Sequence, residues 1–408
     1  MSDHKVAAII GAGQAGYWAS KTLRDEGFTG KIALIGDEAH PPYERPPLSK
    51  SVLVGTEQPD VTHFCTPDEL AASRIDWMAG VRVDGIDRKA QRLALSDGGY
   101  VPYDRLLIAT GGRARKIPVP GGDLKGIHYL RTIDDSIALQ AFLKAGEPLL
   151  VIGGGWIGLE VAASAAQRGM QVILIEAAPQ LCNRTLPAGP ADYLHQLHVK
   201  QGVDIRLGCS VERFIGKGAV EGALLSSGET LAVRTVVAGI GMVPNSELAS
   251  GSGLEVQDGI LVDPFGVTSD PSILAAGDVA RYRSLRAGES IRSESWSNAQ
   301  NQAIAAAKTM AGAPTAYDPV PWFWSDQYDL NLQVTGTPKT THEMVVRGQV
   351  ETGAFSIFYL EPDGMIGAVL SFNAARDNRI GKRLMEQGIH VDAGNVADAG
   401  INLQSLLG

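Results

Sequence analysis

One short device occurs twice in the chain. Gly11-Ala-Gly13-Gln-Ala-Gly16 and Gly153-Gly-Gly155-Trp-Ile-Gly158 each follow a brief apolar run, Val6 to Ile10 and Leu149 to Ile152, and each opens a helical stretch. A second apolar run follows both and ends in an acid, Ile32-Ala-Leu-Ile-Gly-Asp37 and Val172-Ile-Leu-Ile-Glu176. Strand, glycine turn, helix, strand and terminal carboxylate make one βαβ unit. Its glycines permit a tight turn and close backbone approach, its helix N-terminus attracts a pyrophosphate, and its acid accepts hydrogen bonds from a ribose. A single fingerprint of this kind is weak evidence, but here the context repeats with it. Two dinucleotides are therefore expected.

The repeat continues past the acids. Ser96-Asp97-Gly98 marks a turn, and Tyr103-Asp104-Arg-Leu-Leu-Ile-Ala-Thr110-Gly111 reads as a buried strand running into a glycine turn. In the second half, Ser226-Ser-Gly228 and Arg234-Thr-Val-Val-Ala-Gly239-Ile-Gly241 have the same form. Proline and glycine cluster at Ile117-Pro-Val-Pro-Gly-Gly122 and around Gly241 to Pro244, which brackets the second unit as an insertion. Ile273-Leu-Ala-Ala-Gly277-Asp278 and an alanine-rich helical run from about Asn298 to Met310 then complete the first unit.

From Tyr317 the texture changes. Phe355-Ser-Ile-Phe-Tyr-Leu360, the turn Glu361-Pro-Asp-Gly364 and Met365-Ile-Gly-Ala-Val-Leu370 read as a hairpin, and a helix with Ile380, Leu384 and Met385 on one face follows. The expected fold is α/β: two Rossmann-like dinucleotide-binding domains, the second inserted in the first, plus a C-terminal α+β domain. The expected boundaries are 1–116 with 246–316, 117–245, and 317–408.

A chain of 408 residues with 44% apolar and 20% charged content is an ordinary globular protein of two or three domains. Its first apolar run is too short for a signal peptide or a membrane span, so a cytoplasmic chain is expected. Cys65, Cys182 and Cys209 are odd in number and far apart; they form neither a CxxC nor a metal-ligand cluster, and structural disulfides are not expected. The net charge of −9 argues against nucleic acid as a partner.

With both loops, the Ala109-Thr-Gly turn and Ala-Ala-Gly-Asp278 in place, the chain resembles the two-dinucleotide flavoprotein disulfide-reductase superfamily. Tyr43-Glu-Arg45-Pro-Pro-Leu-Ser-Lys50, Trp296-Ser-Asn-Ala-Gln and Trp322-Phe-Trp324-Ser-Asp-Gln make it similar, more narrowly, to the NADH-dependent ferredoxin reductases of bacterial oxygenase systems. The resemblance implies that the first unit binds FAD and the second NADH. The C-terminal domain then forms part of the face toward a [2Fe-2S] ferredoxin, either Rieske-type or putidaredoxin-like.

On that resemblance, Gly11, Gly13, Ala15 and Gly16 cradle the FAD pyrophosphate and Asp37 its ribose. Arg45, Val83, Thr110, Gly111, Arg131, Asp278, Trp296 and Trp324 match positions at the flavin nucleotide. On physical grounds alone, Arg131 could equally be solvated, Val83 core, Trp296 a helix-entry anchor and the aromatic run Trp322 to Trp324 ordinary packing. Gly153, Gly155, Trp156, Ile157, Gly158 and Gly241 are the corresponding NADH residues. Glu176 selects the coenzyme, because a carboxylate accepts both ribose hydroxyls and repels a 2′-phosphate, while Ala177 and Ala178 supply no arginine. Arg184 is expected to be solvated.

Lys50 and Glu160 are the expected catalytic residues, paired beside flavin N5. A cation there favours reduced flavin, and pairing keeps either charge from being buried alone. The bland reading is a surface lysine and a helix-dipole carboxylate. The expected activity is electron transfer from NADH through FAD to a ferredoxin that supplies a cytochrome monooxygenase or a Rieske-type dioxygenase. The alternatives are a rubredoxin reductase or NADH oxidase of the same fold, or an FAD- and NADH-binding signalling protein like the apoptosis-inducing flavoproteins. Arg281, Arg283, Arg286, Arg292, Arg379, Lys382 and Arg383 form either a ferredoxin-facing patch or a solvated face.

Overall fold

Alternation along one short strand decides the layering of the first unit. In the computed structural model, which describes residues 5–407, Val6–Ile10 lies at the centre of a fully parallel five-stranded sheet. The order is Ile273–Ala275, Arg105–Ile108, Val6–Ile10, Lys31–Ile35 and Ile75–Met78. Successive side chains of a strand point to opposite faces. Ala7 and Ile9 therefore enter one core with the helices Gln14–Asp25 and Trp296–Met310, where Ala15 and Ala19 meet Ala303, Ala306 and Ala307. Ala8 and Ile10 enter a second core with Val83, Leu93, Leu95 and Val101. Those four belong to an antiparallel sheet of Val83–Asp87, Arg92–Leu95 and Tyr100–Pro102.

The second unit repeats the plan. Its parallel sheet has the order Asp204–Leu207, Gln171–Glu176, Pro148–Ile152, Thr235–Ala238 and Ile127–His128. Leu149 and Val151 face one core and Leu150 and Ile152 the other. The latter is closed by the antiparallel strands Val211–Ile215, Gly222–Leu225 and Thr230–Leu231. Against the former lies the helix Trp156–Gln167, whose run from Gly158 to Ala165 is buried throughout.

A five-stranded antiparallel sheet follows, ordered Trp322–Gln327, Leu330–Gly336, Ile366–Phe372, Ala354–Leu360 and Glu343–Gln349. One of its faces contributes Leu332, Val334, Ile357 and Leu370 to the core of Leu149 and Val151. The other is covered by the helix Ala375–Glu386 through Ile380 and Leu384. The expected hairpin and helix are both present, and Gly364 supplies the left-handed residue of the hairpin turn at φ 85°. The fold is the α/β arrangement anticipated, with an α+β C-terminal part.

By contact the chain gathers into two units. One comprises the chain up to Glu44 with Asp60–Arg113 and Met242–Pro319; the other comprises Arg45–Pro59, Ala114–Gly241 and the chain from Val320. The short segment Arg45–Pro59 thus groups with the second βαβ unit. Leu48, Val52 and Leu53 are buried there, and the carbonyls of Leu48, Val52 and Val54 accept hydrogen bonds from Ser136 Oγ, Gln140 Nε2 and Arg168 Nη1 at 2.7, 2.7 and 2.8 Å. Buried backbone acceptors that find partners only in this unit fix the segment to it.

The two glycine loops share one stereochemical demand. A Cβ on Gly16 would fall 1.8 Å from the carbonyl oxygen of Gly11, and one on Gly158 1.9 Å from that of Gly153. Gly155 differs: its φ is −82° and no atom lies within 4 Å of a Cβ there. Gly158→Ala is expected to cost roughly 2 kcal/mol through overpacking. Gly155→Ala is expected to cost less than about 1 kcal/mol. Urea unfolding of the two variants beside the parent checks the contrast.

Candidate functional site

The helices that follow the glycine loops begin without a side-chain cap, which several other helices of the protein have. Thr66 and Thr132 cap their helices through side-chain oxygens in reciprocal capping boxes, and Ser295 caps Trp296–Met310. Gln14–Asp25 and Trp156–Gln167 start at Gly13 and Gly155 with no side-chain cap and no acid in the first turn. The N-terminal N–H groups of both helices therefore lack a side-chain acceptor, and the dipole there favours an anion. Gly155 has open space where a side chain would stand, and neither Gly13 nor Gly155 has a backbone that requires glycine. The open space at Gly155 leaves room for an anion at the start of its helix.

In the first unit, Ala15 and Gly277 lie together, a Cβ on Gly277 falling 3.1 Å from that of Ala15. Gly277 N–H donates to Gln302 Oε1 at 2.9 Å. This brings the half-buried Asp278 to the first loop. Trp296 is tied to the same loop, its carbonyl accepting from Gln14 Nε2 at 2.8 Å while its own Nε1–H donates to Glu44 at 3.0 Å. The Thr110–Gly111 turn is stitched to Asn245 in both directions: Thr110 Oγ1 donates to the Asn245 carbonyl at 2.7 Å, and Asn245 Nδ2 donates to the Thr110 carbonyl at 3.0 Å. Asp37 is exposed, just past the Lys31–Ile35 strand. The Val83 side chain is core, at 4% exposure.

In the second unit, the carboxylate of Glu176 is already oriented. It accepts from the backbone N–H of Gly154, within the glycine loop, at 2.6 Å and from that of Ala178 at 2.7 Å. Each carboxylate oxygen retains a lone pair for a ribose hydroxyl. Ile157 is exposed on the first turn of the helix, and Trp156 packs edge-on against Phe323 with ring centroids 5.0 Å apart. Arg184 and Gly241 are both exposed, with an Arg184 nitrogen 3.9 Å from where a Gly241 Cβ would be.

Lys50 and Glu160 meet in this unit. Lys50 Nζ lies 2.9 Å from Glu160 Oε1, the side chains being 16% and 4% exposed. Pro46–Ser49 forms a single 3-10 turn, and Lys50 Nζ also donates to the Pro46 carbonyl at 3.2 Å. Two further groups hold the carboxylate that the sequence did not reveal. Ser49 Oγ donates to Oε2 at 2.5 Å, and Ser325 Oγ donates to Oε1 at 2.7 Å. One helical turn beyond Glu160, Ser164 Oγ grips the Ser49 carbonyl at 2.6 Å, as i,i+4 spacing allows. Strand alternation explains Ser325: Phe323 and Ser325 face the Trp156–Gln167 helix, while Trp322 and Trp324 stack on the other side with centroids 5.3 Å apart. Trp324 Nε1 donates to Asp326 at 2.9 Å. Nearby, Arg45 donates to the Arg131 carbonyl at 2.5 Å.

Of the basic residues considered for docking, Arg281 and Arg292 are paired with Asp258 at 3.3 and 3.4 Å, whereas Arg283, Arg379 and Arg383 are exposed. All three cysteines are buried thiols. Among the described residues no cluster of three or more metal-ligating side chains occurs, and no helix is long and apolar enough to cross a membrane.

Two dinucleotide cradles on parallel sheets, with a partly buried cation and a buried carboxylate beside the second, define a two-nucleotide oxidoreductase. The chain matches the pyridine nucleotide-disulphide oxidoreductase family over residues 5–303 and the reductase C-terminal family over residues 322–407. It is 40% identical over 402 residues to the ferredoxin–NAD(+) reductase component of the anthranilate 1,2-dioxygenase system of Burkholderia cepacia, covering 98% of each chain. It is 38% identical to putidaredoxin reductase of Pseudomonas putida, covering 100% of this chain and 98% of that one. Among solved structures, putidaredoxin reductase in its covalent complex with putidaredoxin superposes with a TM-score of 0.95 at 37% identity, covering 100% of this chain and 99% of that one. A ferredoxin reductase from Rhodopseudomonas palustris also gives 0.95, at 36% identity, covering 99% and 100%. The chain belongs to the pyridine nucleotide-disulphide oxidoreductase family, among its FAD- and NADH-using ferredoxin reductases.

Removing one member of a buried pair strands the other. Lys50→Met is therefore expected to destabilise the protein by about 3 kcal/mol, and adding Glu160→Gln to recover part of that loss. Unfolding midpoints of the parent, both single variants and the double variant give the coupling directly.

Proposed function

We propose that this protein is an NADH-dependent ferredoxin reductase that passes electrons to a [2Fe-2S] ferredoxin of a monooxygenase or Rieske-type dioxygenase system. The observation that carries the reading is the pair of helices left uncapped at glycine loops, each followed by a strand and an acid, in a chain that aligns end to end with such reductases. FAD is assigned to the division 1–116 with 246–316, NADH to 117–245, and the partner face to 317–408.

Gly11, Gly13, Ala15 and Gly16 would hold the FAD pyrophosphate and Asp37 its ribose. Thr110, Gly111, Asp278 and Trp296 belong to the same nucleotide, with Val83 contributing from the core, and Arg45, Arg131 and Trp324 are assigned to the flavin. Gly153, Gly155, Trp156, Ile157, Gly158 and Gly241 would hold NADH, with Glu176 on its adenosine ribose. FAD supplies the conversion of a two-electron hydride donor into single-electron deliveries. Lys50 offers a positive charge at the hydride-transfer site. Glu160 sets the position of that charge, and Ser49 and Ser325 keep its carboxylate hydrogen-bonded while water is excluded.

Thiol chemistry is disfavoured. Burial, with Glu69 adding to it, pushes the Cys65 thiol up to about 11, and burial with Glu176 and Glu160 pushes Cys182 up as well. A thiol raised in this way is no thiolate near neutral pH, so neither Cys65 nor Cys182 suits an oxidase relying on a redox cysteine. Three buried thiols also suit the reducing cytoplasm, where we place the protein.

The reading is tested by following NADH-dependent reduction of [2Fe-2S] ferredoxins from the same genomic neighbourhood by the FAD-loaded protein. Rapid reduction is expected; flavin bleached by NADH with no ferredoxin reduced would overturn it. Coenzyme choice is expected to lie at Glu176. Glu176→Ala with Ala177→Arg should shift the kcat/KM ratio toward NADPH by on the order of tenfold or more, because the carboxylate both binds and excludes. An unchanged ratio would remove Glu176 from the assignment.

A further inference from the structure

The hydrogen bonding around Glu160 does not end at Ser325. Gln327 Nε2 donates to Ser325 Oγ at 3.0 Å, Gln327 Oε1 stands 2.8 Å from His198 Nε2, and His198 Nδ1 stands 3.1 Å from the Tyr328 hydroxyl. Ser325, Gln327 and His198 are each at most 1% exposed. His198 comes from the helix Ala188–Lys200, in the same segment as Glu160, so the chain of bonds leaves that segment at Ser325 and returns to it at the imidazole.

The direction of every bond in this chain follows from its end. A carboxylate only accepts, so the Ser325 proton points to Glu160. Ser325 must then accept from an N–H of Gln327, which turns the Gln327 carbonyl toward His198. His198 must carry its proton on Nε2, and Nδ1 is left to accept from Tyr328. Burial supports the neutral ring, holding His198 down to about 4 against the upward pull of Gln327. The reverse polarity, with the amide turned over and the proton on Nδ1, suits a Glu160 that donates.

A second observation marks Tyr328. Gln327 pairs with Leu330, so Tyr328 and Asp329 form a two-residue hairpin turn in which Tyr328 adopts φ 57°. Glycine or asparagine is the usual occupant of such a position, and a bulky aromatic is an outlier there. The Tyr328 ring packs edge-on to His198 at 5.2 Å while its hydroxyl bonds the imidazole. The turn thus holds the Tyr328 side chain against His198 despite the backbone preference.

We propose that Tyr328, His198, Gln327 and Ser325 are positioning residues: a one-way hydrogen-bond chain that keeps Glu160 an acceptor against Lys50, with the His198 tautomer coupled to Glu160. This deepens the reductase reading above and rests on it for the consequence at hydride transfer. The groups facing Glu160 are Lys50 and Ser49 from the Arg45–Pro59 segment, Ser325 from the C-terminal sheet, and Cys182. Those facing His198 are Gln327, Tyr328 and His195 of its own helix.

The test reads the ring nitrogens of His198 by ¹⁵N NMR in the protein with and without FAD, which needs no turnover. The parent should show the proton on Nε2, and Ser325→Ala, two residues away in the chain, should give a mixed tautomer. In stopped-flow reduction by NADH, Ser325→Ala and Gln327→Met should slow hydride transfer on the order of tenfold, with NADH affinity within about twofold, and Ser325→Thr should restore the rate. A proton on Nδ1 in the parent, a tautomer indifferent to Ser325→Ala, or a changed tautomer with unchanged hydride transfer would each overturn the proposal. Failure of the ferredoxin reading shows separately, as absent ferredoxin reduction by the parent, while the NMR result stands on its own.

Discussion

A carboxylate at 4% exposure needs partners, and much of the second unit is arranged around supplying them to Glu160. Its helix sits in the core because the run from Gly158 to Ala165 is apolar or small, so Glu160 is carried inside by its neighbours. The cation comes from Lys50, placed by a prolyl turn; one hydroxyl comes from the residue before it, and the other from a strand of the C-terminal sheet. Helix, turn and sheet are thus held to one point by a single acid. The Trp156–Phe323 contact extends the same seam by apolar means.

The two βαβ repeats solve an identical packing problem and differ at their edges. Both sheets divide odd from even residues of the central strand between two cores, and both close the second core with a small antiparallel sheet. Both also leave the glycine-loop helix without a side-chain cap, while Thr66, Thr132 and Ser295 serve that role elsewhere. At a glycine loop the donors left at the helix start stand open to an anionic ligand.

Much of this was legible in the residues. The loops, the strands flanking them and the Phe355 to Leu370 hairpin carry local signals of glycine placement and period-two alternation, and these elements form where expected. The Lys50–Glu160 pairing followed from resemblance rather than from spacing, and the ion pair is present. What stayed hidden is non-local. Ser49 reaches Glu160 across 111 residues and Ser325 across 165, and a serine leaves no periodic trace. Strand parity held one clue, since Ser325 shares its face with Phe323. The Ile127–His128 edge strand, only two residues long, exists because a neighbour offers it a ladder. Likewise Arg45–Pro59 has no composition that announces its unit; its buried leucines and the donors waiting for its carbonyls decide that.

The interleaving of segments has a consequence for synthesis. The second unit is assembled from Arg45–Pro59, Ala114–Gly241 and the chain from Val320, with segments of the first unit made in between. A ribosome delivers Ser49 and Lys50 early, the Trp156–Gln167 helix next, and Ser325 only after most of the chain has emerged. Until then the nascent helix holds an acid with one hydroxyl too few and an uncovered apolar face. The pocket around Glu160 is therefore among the last features to mature, and an incomplete chain carries the cradle of each nucleotide without the finished setting between lysine and acid.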